Sequence, residues 1–320
     1  MLRRLIPCSL ILLLVFLFFY FAHAAAEDSA PGLNENIEVD LVDLYLTATN
    51  DKGGFVTDLR GDELTVTENG VTQNISAFTN FARDAHEVPL TLVMLIDSSG
   101  SMADDVGRVW KIDIAREASM LLLNELKPQE KAMVITFDEA PIYSELTADK
   151  QAVMKSLQEA RVRFGYTALY DAISEAIDRM NGEYGRKILL ICSDGNDNTS
   201  KTTLNQVMDK LSRSSDIAVM VLGTVSPVYS VKSPDRVKDF ISGRDILNKL
   251  ADASGGYAFF PSTLKEVEKV RELMRQFLLS QYSLAYTPLN RNRDGSWREI
   301  KIKCRRKGVK LRYRNGYFAR

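Results

Sequence analysis

From Leu90 onward, short apolar runs alternate with longer stretches whose apolar residues recur at helical spacing. The apolar runs have no polar face, which is typical of strands buried between helices in a parallel sheet. The pattern predicts strands over 90–96, 131–138, 187–192, 216–222 and 256–260. It predicts helices over 111–126, 149–161, 168–181, 202–214, 244–253 and 263–280. We therefore expect a doubly wound, mostly parallel α/β sheet of Rossmann-like type over residues 88–285.

Both ends of the chain show the two-residue period of antiparallel strands instead. The segment 37–49 alternates with a slip at Val42-Asp43, which predicts a strand that contains a β-bulge. Asn69-Gly70 separates two alternating segments and is a hairpin signature. Alternation returns near the C-terminus, over 281–286, 299–304 and 309–313.

These patterns predict a small β-sandwich-like module built from both chain ends. We expect residues 27–87 to need residues 286–320 in order to fold, whereas residues 88–285 form a separable domain. Residues 27–90 carry 13 acidic and 3 basic side chains, and residues 291–320 carry 12 basic and 2 acidic ones. Opposite charges favour packing of the two ends, and such short segments cannot build a core alone. The alternative is a basic surface that contacts anionic lipid or polysaccharide.

The first residues predict export. Arg3 and Arg4 precede an almost unbroken apolar run, which ends in small residues at 22–26, so residues 1–26 have the pattern of a secretory signal peptide. A run of about 17 apolar residues is at the lower limit for a membrane span, so an uncleaved anchor is the alternative. In either case we expect a secreted, periplasmic or otherwise extracytoplasmic protein.

Composition argues against several classes of function. Without residues 1–26 the net charge is −3, which gives no indication of a nucleic-acid partner. His86 is then the one histidine left, which excludes zinc sites with several imidazoles. No phosphate-binding loop, Gly-x-Ser-x-Gly elbow or serine with a neighbouring histidine is present, so we expect no enzymatic activity. Metal-assisted phosphoester hydrolysis is the alternative.

The remaining cysteines give no disulfide framework. Cys8 lies in the signal-type segment. Cys192 lies in an apolar run and is predicted to be a small buried thiol, whereas Cys304 lies in an alternating strand. A disulfide between Cys192 and Cys304 is the less favoured alternative.

One loop carries a carboxylate and hydroxyls together. Asp97-Ser98-Ser99-Gly100-Ser101 follows a predicted strand, and we expect Asp97 to lie on a solvent-facing part of this loop. Oxygen donors of this kind suit a hard cation such as Mg²⁺. Thr167 and Asp194 also lie where a loop meets a predicted helix or strand, and ligands of such sheets bind beyond the carboxyl ends of the strands. The alternative is that the Asp and Ser side chains cap the next helix.

These residues resemble the metal-ion-dependent adhesion site (MIDAS) of von Willebrand factor type A (VWA) domains. The pattern of that site is Asp-x-Ser-x-Ser, a distant Thr and a distant Asp, and the matching positions are Asp97, Ser99, Ser101, Thr167 and Asp194. The resemblance implies that Ser99 and Ser101 bind the ion directly and that Thr167 joins them when a ligand is bound. Asp97 and Asp194 would act directly or through water. The implied ion is Mg²⁺, or Ca²⁺ or Mn²⁺, and the implied ligand is an Asp or Glu carboxylate of a partner protein.

Two further carboxylates follow this loop. Asp104 and Asp105 are similar in position to the adjacent second calcium site of integrin β-subunit domains, which would make them ligands of a second ion. The alternative is a solvated loop beside a helix N-terminus, where the macrodipole favours acidic side chains.

The flanks around the VWA-like core also resemble bacterial exported VWFA-related proteins, in segments such as 66–70 and 313–317. The resemblance implies an exported, cation-dependent adhesion or protein-binding module. The alternative is a structural or assembly component of an envelope complex whose metal site is not essential. Membrane contact is expected only through an uncleaved anchor or the basic C-terminal strands.

Overall fold

The computed structural model describes residues 41–83, 88–214, 216–224 and 234–319, with no side chains described at 234–242. The predicted signal segment 1–26, the beginning of the predicted strand at Ile37, and His86 lie outside these residues. The described part has a mixed α/β fold with several sheets. Within it, no helix combines the length and the apolar character needed to cross a membrane.

The N-terminal part contains strands and a 3-10 helix, Gly61–Glu63. The strands are β1 (Val42–Asn50), β2 (Leu64–Glu68), β3 (Val71–Gln73) and β4 (Ile75–Asn80). Asn69 and Gly70 both have positive φ, of 47° and 82°, so the turn between β2 and β3 has the left-handed backbone that its Asn-Gly sequence favours.

The central part alternates strands and helices. Its strands are β5 (Leu90–Asp97), β6 (Asp105–Val106), β7 (Val109–Trp110), β8 (Lys131–Phe137), β9 (Pro141–Tyr143), β10 (Arg186–Ser193), β11 (Ile217–Gly223) and β12 (Tyr257–Phe259). Its helices are α1 (Lys111–Glu125), α2 (Lys150–Glu159), α3 (Leu169–Met180), α4 (Leu204–Arg213), α5 (Pro234–Ser254) and α6 (Leu264–Leu279). The C-terminal part adds β13 (Tyr282–Tyr286), β14 (Trp297–Cys304), β15 (Val309–Tyr313) and β16 (Gly316–Phe318).

The central sheet has the strand order β12-β11-β10-β5-β8-β9. The pairs that join β12, β11, β10, β5 and β8 are parallel, and only the short edge strand β9 runs antiparallel. All eight residues of β5 and of β10 are buried, because separate hydrophobic clusters cover the two faces of the sheet. This burial on both faces explains why these strands are apolar throughout in the sequence.

Apart from the paired strands β6 and β7, the remaining strands form two further sheets, with the orders β15-β1-β13-β4 and β16-β14-β2-β3. Leu44 and Leu284 from the first sheet and Val66 and Ile300 from the second belong to one hydrophobic cluster. Strand β13 pairs with β1 and β4, so residues 282–285 lie with the strands from the chain ends although the expected domain boundary was at 285. Ion pairs also join the ends, including Arg306 with Asp58 and Glu63, and Lys310 with Asp51.

The β-bulge expected at Val42-Asp43 is wrong. The register between Val42–Leu46 and Tyr282–Tyr286 is continuous, and β1 continues in register with β15 as far as Asn50. Strand β1 is buried from Leu44 to Ala48, so neighbouring positions on both faces are covered. Val42 is in phase with Leu44 and Leu46 and packs against the same hydrophobic cluster, whereas Leu41 is 52% exposed, so the alternation runs from Val42 without a slip. The irregular register lies instead between β13 and β4, at Ala285/Tyr286.

Other differences concern short elements and one helix start. The edge strand β9, the two-residue strands β6 and β7, and β16 were not expected from the pattern. Short strands of this kind lack enough residues to show a period. Helix α5 begins at Pro234, ten residues before the predicted start.

Candidate functional site

The five predicted residues come from three loops at one edge of the central sheet. Asp97 ends β5, and Asp194 follows the last residue of β10. These strands are neighbours in parallel register, with Cys192 opposite Ile96, so their carboxyl ends meet at the same edge. Thr167 lies in the loop 160–168 that leads into α3. Parallel strand order therefore brings together residues that are almost one hundred positions apart in sequence.

Asp97 is fully buried, which corrects the expectation of a solvent-facing position. Its carboxylate accepts hydrogen bonds from the Ser99 backbone N–H at 2.9 Å and from Ser193 Oγ at 2.7 Å. Burial and the negative charge of Asp194 raise the pKa of Asp97 to about 7. The Asp97 carboxylate is thus held in the protein interior by hydrogen bonds from two neutral donors.

A cavity of about 230 Å³ lies beside the loop that follows β5, and Asp97 is not among the residues that line it. Its lining includes Ser99, Ser101, Thr167 and Asp194, together with Gly100, Gly165, Tyr166, Asn196 and Asn198. The hydroxyl oxygens of Ser99 and Ser101 are 3.3 Å apart. Ser99 precedes the 3-10 helix Gly100–Ala103 but makes no capping hydrogen bond with its side chain. The helix-capping interpretation therefore does not account for the hydroxyl of Ser99.

Thr167 is positioned by the loop that follows β10. The Thr167 backbone N–H donates to Asn198 Oδ1 at 2.8 Å, and the Asn198 backbone N–H donates to the Thr167 carbonyl at 3.0 Å. Asp197 accepts a hydrogen bond from the Tyr170 backbone N–H at 3.0 Å and so holds the same loop to the start of α3. These contacts fix Thr167 relative to Asp194.

Arg163 joins the loop of Thr167 to the loop of Ser99. Its backbone N–H donates to the Ser98 carbonyl at 2.7 Å, and its Nε donates to Ser98 Oγ at 3.2 Å. Its guanidinium also pairs with Asp138 at 2.9 Å. A Cβ added at Gly165 would lie 2.8 Å from Asp138 Oδ2, so a larger residue here would displace the side chain that pairs with Arg163. The three loops therefore form one connected frame around the cavity.

Sequence reasoning missed Ser193, Asn198 and Arg163, although each holds a predicted site residue or its loop. Ser193 had a signal, because it is a polar residue at the end of an apolar strand and faces the end of β5. Asn198 and Arg163 had no signal in the sequence, because polar and charged residues in loops are ordinarily solvated.

The donor set fits a divalent cation. Among the residues that the structure describes, no three His, Cys, Asp or Glu side chains form a cluster that could hold a metal ion, so a site here depends on hydroxyl oxygens. Asp97 and Asp194 repel one another, and the hydrogen-bond donors to Asp97 are neutral. A buried carboxylate is stable when it is paired or bound to a metal. Oxygen donors with few carboxylates suit Mg²⁺ or Mn²⁺.

Asp104 and Asp105 lie outside this cavity lining. The Asp104 carboxylate contacts Lys111 Nζ at 3.3 Å. Asp105 Oδ1 accepts a hydrogen bond from the Arg108 backbone N–H at 2.9 Å, within the turn between β6 and β7. Both side chains thus have protein partners.

Residues 92–196 match the family model for the von Willebrand factor type A domain. The matched range is about a third of the chain and contains all five residues of the candidate site. The chain therefore contains a VWA domain. No curated protein matches the chain.

The fold is similar to that of several solved structures. An aerotolerance-related membrane protein from Bacteroides fragilis shares 16% identity at a TM-score of 0.46, over 59% of this chain and 98% of that chain. A von Willebrand factor type A structure from Catenulispora acidiphila shares 14% identity at 0.45, over 86% and 72%. The vWF domain of the type V pili tip protein Mfa5 from Porphyromonas gingivalis shares 12% at 0.41, over 59% and 95%. These likenesses concern the fold alone.

Proposed function

We propose that this chain is an exported protein-interaction module that captures an acidic side chain of a partner protein through a divalent cation. The observation that carries the proposal is the convergence of hydroxyl and carboxylate oxygens on one small open cavity. The VWA match over the same residues supports it. Export is supported by the signal-type pattern of residues 1–26.

Ser99, Ser101 and Thr167 would hold the ion with neutral oxygens, and Asp97 and Asp194 would bind it directly or through water. A bound Mg²⁺ or Mn²⁺ supplies an electrophilic centre that accepts an oxygen ligand from outside the protein. Asn198 and Arg163 fix the hydroxyl-bearing loops, and the open cavity admits a side chain from a partner.

We infer that the site binds rather than catalyses. A hydrolytic reaction needs a group that accepts a proton near the reacting atom. The site's carboxylates are Asp97, which is fully buried, and Asp194, whose Oδ1 accepts the Asn196 backbone N–H at 3.1 Å. Metal-dependent turnover of a phosphoester by the purified protein would contradict this inference.

The function is tested by capture of partners from the native envelope fraction, with Mg²⁺ in one arm and a chelator in the other. We expect a partner that is retained with Mg²⁺ and lost with chelator. Capture that survives the chelator unchanged would favour the alternative, a structural component of an envelope complex whose metal site is not essential.

Once a partner is identified, changing its contacting Asp or Glu to the amide is expected to weaken binding by about tenfold or more, or about 1.4 kcal/mol. The reason is that neutral hydroxyl ligands leave the ion more electrophilic than carboxylate ligands would, which favours a carboxylate over an amide from the partner. Isothermal titration calorimetry with both forms of the partner measures the difference. Equal affinity would contradict carboxylate capture even if a metal is bound.

Two aromatic side chains flank the cavity and are expected to contact the partner. Phe164 is 73% exposed and Tyr166 is 67% exposed, on a loop that Arg163 anchors. We expect Tyr166→Ala to weaken partner binding by about 1–2 kcal/mol, because exposed aromatics beside a binding centre are frequent hot spots. The affinity for Mn²⁺ should change less than about twofold.

The matched control is Tyr184→Ala. Tyr184 is 75% exposed but precedes β10, so it lies at the amino ends of the parallel strands, whereas the site lies at their carboxyl ends. The control should leave partner binding unchanged. Equal effects of the two substitutions on partner affinity would show that Tyr166 has no specific role.

We also infer a doubly wound central domain within residues 88–285 and a β-sandwich module from residues 27–87 and 286–320, to which β13 adds a strand. The parallel pairs with cores on both faces support the first part. The cluster shared by two four-stranded sheets supports the second. Limited proteolysis tests this division, because a stable fragment of residues 27–87 alone would contradict it.

A further inference from the structure

Lys111 is a buried lysine beside the candidate site. It is the first residue of α1, and its side chain is 2% exposed. Burial disfavours an ammonium group, and the positive end of the helix macrodipole at the N-terminus disfavours it further. Specific contacts must therefore compensate for both effects.

The ammonium makes two polar contacts, and both lie in the segment that carries Ser101. Lys111 Nζ donates to the Ser101 carbonyl and to Asp104 Oδ2, each at 3.3 Å. The backbone joins the same groups, since the Asp104 N–H donates to the Ser101 carbonyl at 3.2 Å and the Lys111 N–H donates to the Asp104 carbonyl at 3.0 Å. Hydrogen bonds thus join the two ends of the segment 101–111, and the Lys111 side chain makes two of them.

The intervening hairpin makes this closure possible. Strands β6 and β7 pair through Asp105 with Trp110 and Val106 with Val109. The turn residues Gly107 and Arg108 both have positive φ, of 63° and 74°. The hairpin reverses the direction of the chain between Asp104 and Lys111. The first residue of α1 therefore lies beside Ser101, ten positions earlier in the sequence.

We propose that Lys111 is a positioning residue for the metal site, because its ammonium group holds the backbone of Ser101 in place. It holds the Ser101 carbonyl so that the hydroxyl of the same residue lines the cavity. It also takes the Asp104 carboxylate, which the integrin resemblance would assign to a second metal ion. The proposal rests on the proposed metal-binding function and implies one divalent cation per chain.

Two effects of the lysine oppose one another. Its positive charge repels a nearby cation and would lower metal affinity, whereas its hydrogen bonds preorganise a ligand and would raise it. Lys111 bonds the backbone carbonyl rather than the hydroxyl, and the Asp104 carboxylate offsets its charge. Positioning therefore outweighs repulsion, and removal of the ammonium should weaken metal binding.

The test is calorimetric titration of the purified protein with Mn²⁺. We expect the wild type to bind one ion per chain and Lys111→Met to bind it about tenfold or more weakly. Lys131→Met is the matched control, because Lys131 is 45% exposed and is the first residue of β8, at the amino ends of the parallel strands and away from the site. It should bind Mn²⁺ as the wild type does. Unchanged or tighter binding by Lys111→Met would overturn the proposal.

Asp104→Asn is a second variant, on a side chain that is 47% exposed, and keeps the test decisive if Lys111→Met does not fold. If Asp104 serves Lys111, the single ion binds several-fold more weakly and the stoichiometry stays at one. If Asp104 binds a second ion, the wild type takes up two ions and the variant takes up one, which would overturn the proposal.

Hydrogen exchange in chelator gives a readout that does not involve the metal. The amides of Asp104 and Lys111 should exchange faster in Lys111→Met than in the wild type, and unchanged exchange would count against the positioning role. A wild type that binds no Mn²⁺ would instead refute the proposed function itself. The two failures are therefore distinguishable.

Discussion

Replacing Asp97 by Asn is expected to lower the affinity for Mn²⁺ by about a hundredfold or more, which corresponds to about 2.7 kcal/mol. The substitution keeps the volume and an oxygen that can accept the Ser99 N–H, but it removes the charge that a cation would neutralise. In chelator, the free energy of unfolding should be unchanged or higher. The reason is that a buried carboxylate beside Asp194 is costly without a cation.

Asp149→Asn is the matched control for this carboxylate-to-amide change. Asp149 caps α2 by accepting hydrogen bonds from the Gln151 and Ala152 backbone N–H groups, a role that Asn can also fill. Both the Mn²⁺ affinity and the free energy of unfolding should stay as in the wild type. Wild-type metal affinity in Asp97→Asn, or its unfolding in chelator, would contradict the assignment of Asp97 as a metal-site carboxylate.

Replacing Arg186 by Met is expected to lower the free energy of unfolding by about 3–5 kcal/mol, because it breaks a buried ion pair and leaves the partner charge behind. The Arg186 guanidinium lies 3.8 Å from Glu130, which is 3% exposed, and donates to the Leu278 carbonyl at 3.1 Å. It also lies over the ring of Phe81, at 4.5 Å from the ring centroid. These contacts join the beginning of β10 to the segments around β4 and β13.

Arg213→Met is the control, because Arg213 forms an exposed ion pair with Asp209 on α4. Exposed pairs of this kind contribute about 0–1 kcal/mol. Chemical denaturation of the two variants measures the difference. Since Arg186 begins β10 and the site lies beyond its end, the Mn²⁺ affinity of Arg186→Met should equal that of the wild type. Similar stabilities for the two variants would show that Arg186 is not a structural link.

The sequence predicted the elements that build the candidate site. Strands β5 and β10 are apolar because both faces are covered, so their ends, and with them Asp97 and Asp194, could be located within one residue. The VWA resemblance then supplied Thr167, which lies in an irregular loop with no period of its own. The family match over 92–196 covers these positions.

Other features could not be predicted, for physical reasons. The burial of Asp97 depends on Ser193 and on the close packing of two loops, which are tertiary contacts. Lys111 has the pattern of a solvated residue at a helix start, and only the hairpin of β6 and β7 turns it inward. The expected bulge in β1 was wrong because Val42 rather than Leu41 packs with Leu44 and Leu46, a choice that depends on tertiary contacts.

We propose that the hydroxyls of Ser99, Ser101 and Thr167 and the carboxylates of Asp97 and Asp194 together hold a divalent cation. The most direct test is a crystal of the protein grown with Mn²⁺ and measured for anomalous scattering from manganese. We expect a single strong anomalous peak per chain, in the cavity bounded by these three hydroxyls. No peak in that cavity at saturating Mn²⁺, or a strong peak elsewhere in its place, would show that these five residues do not form the metal site.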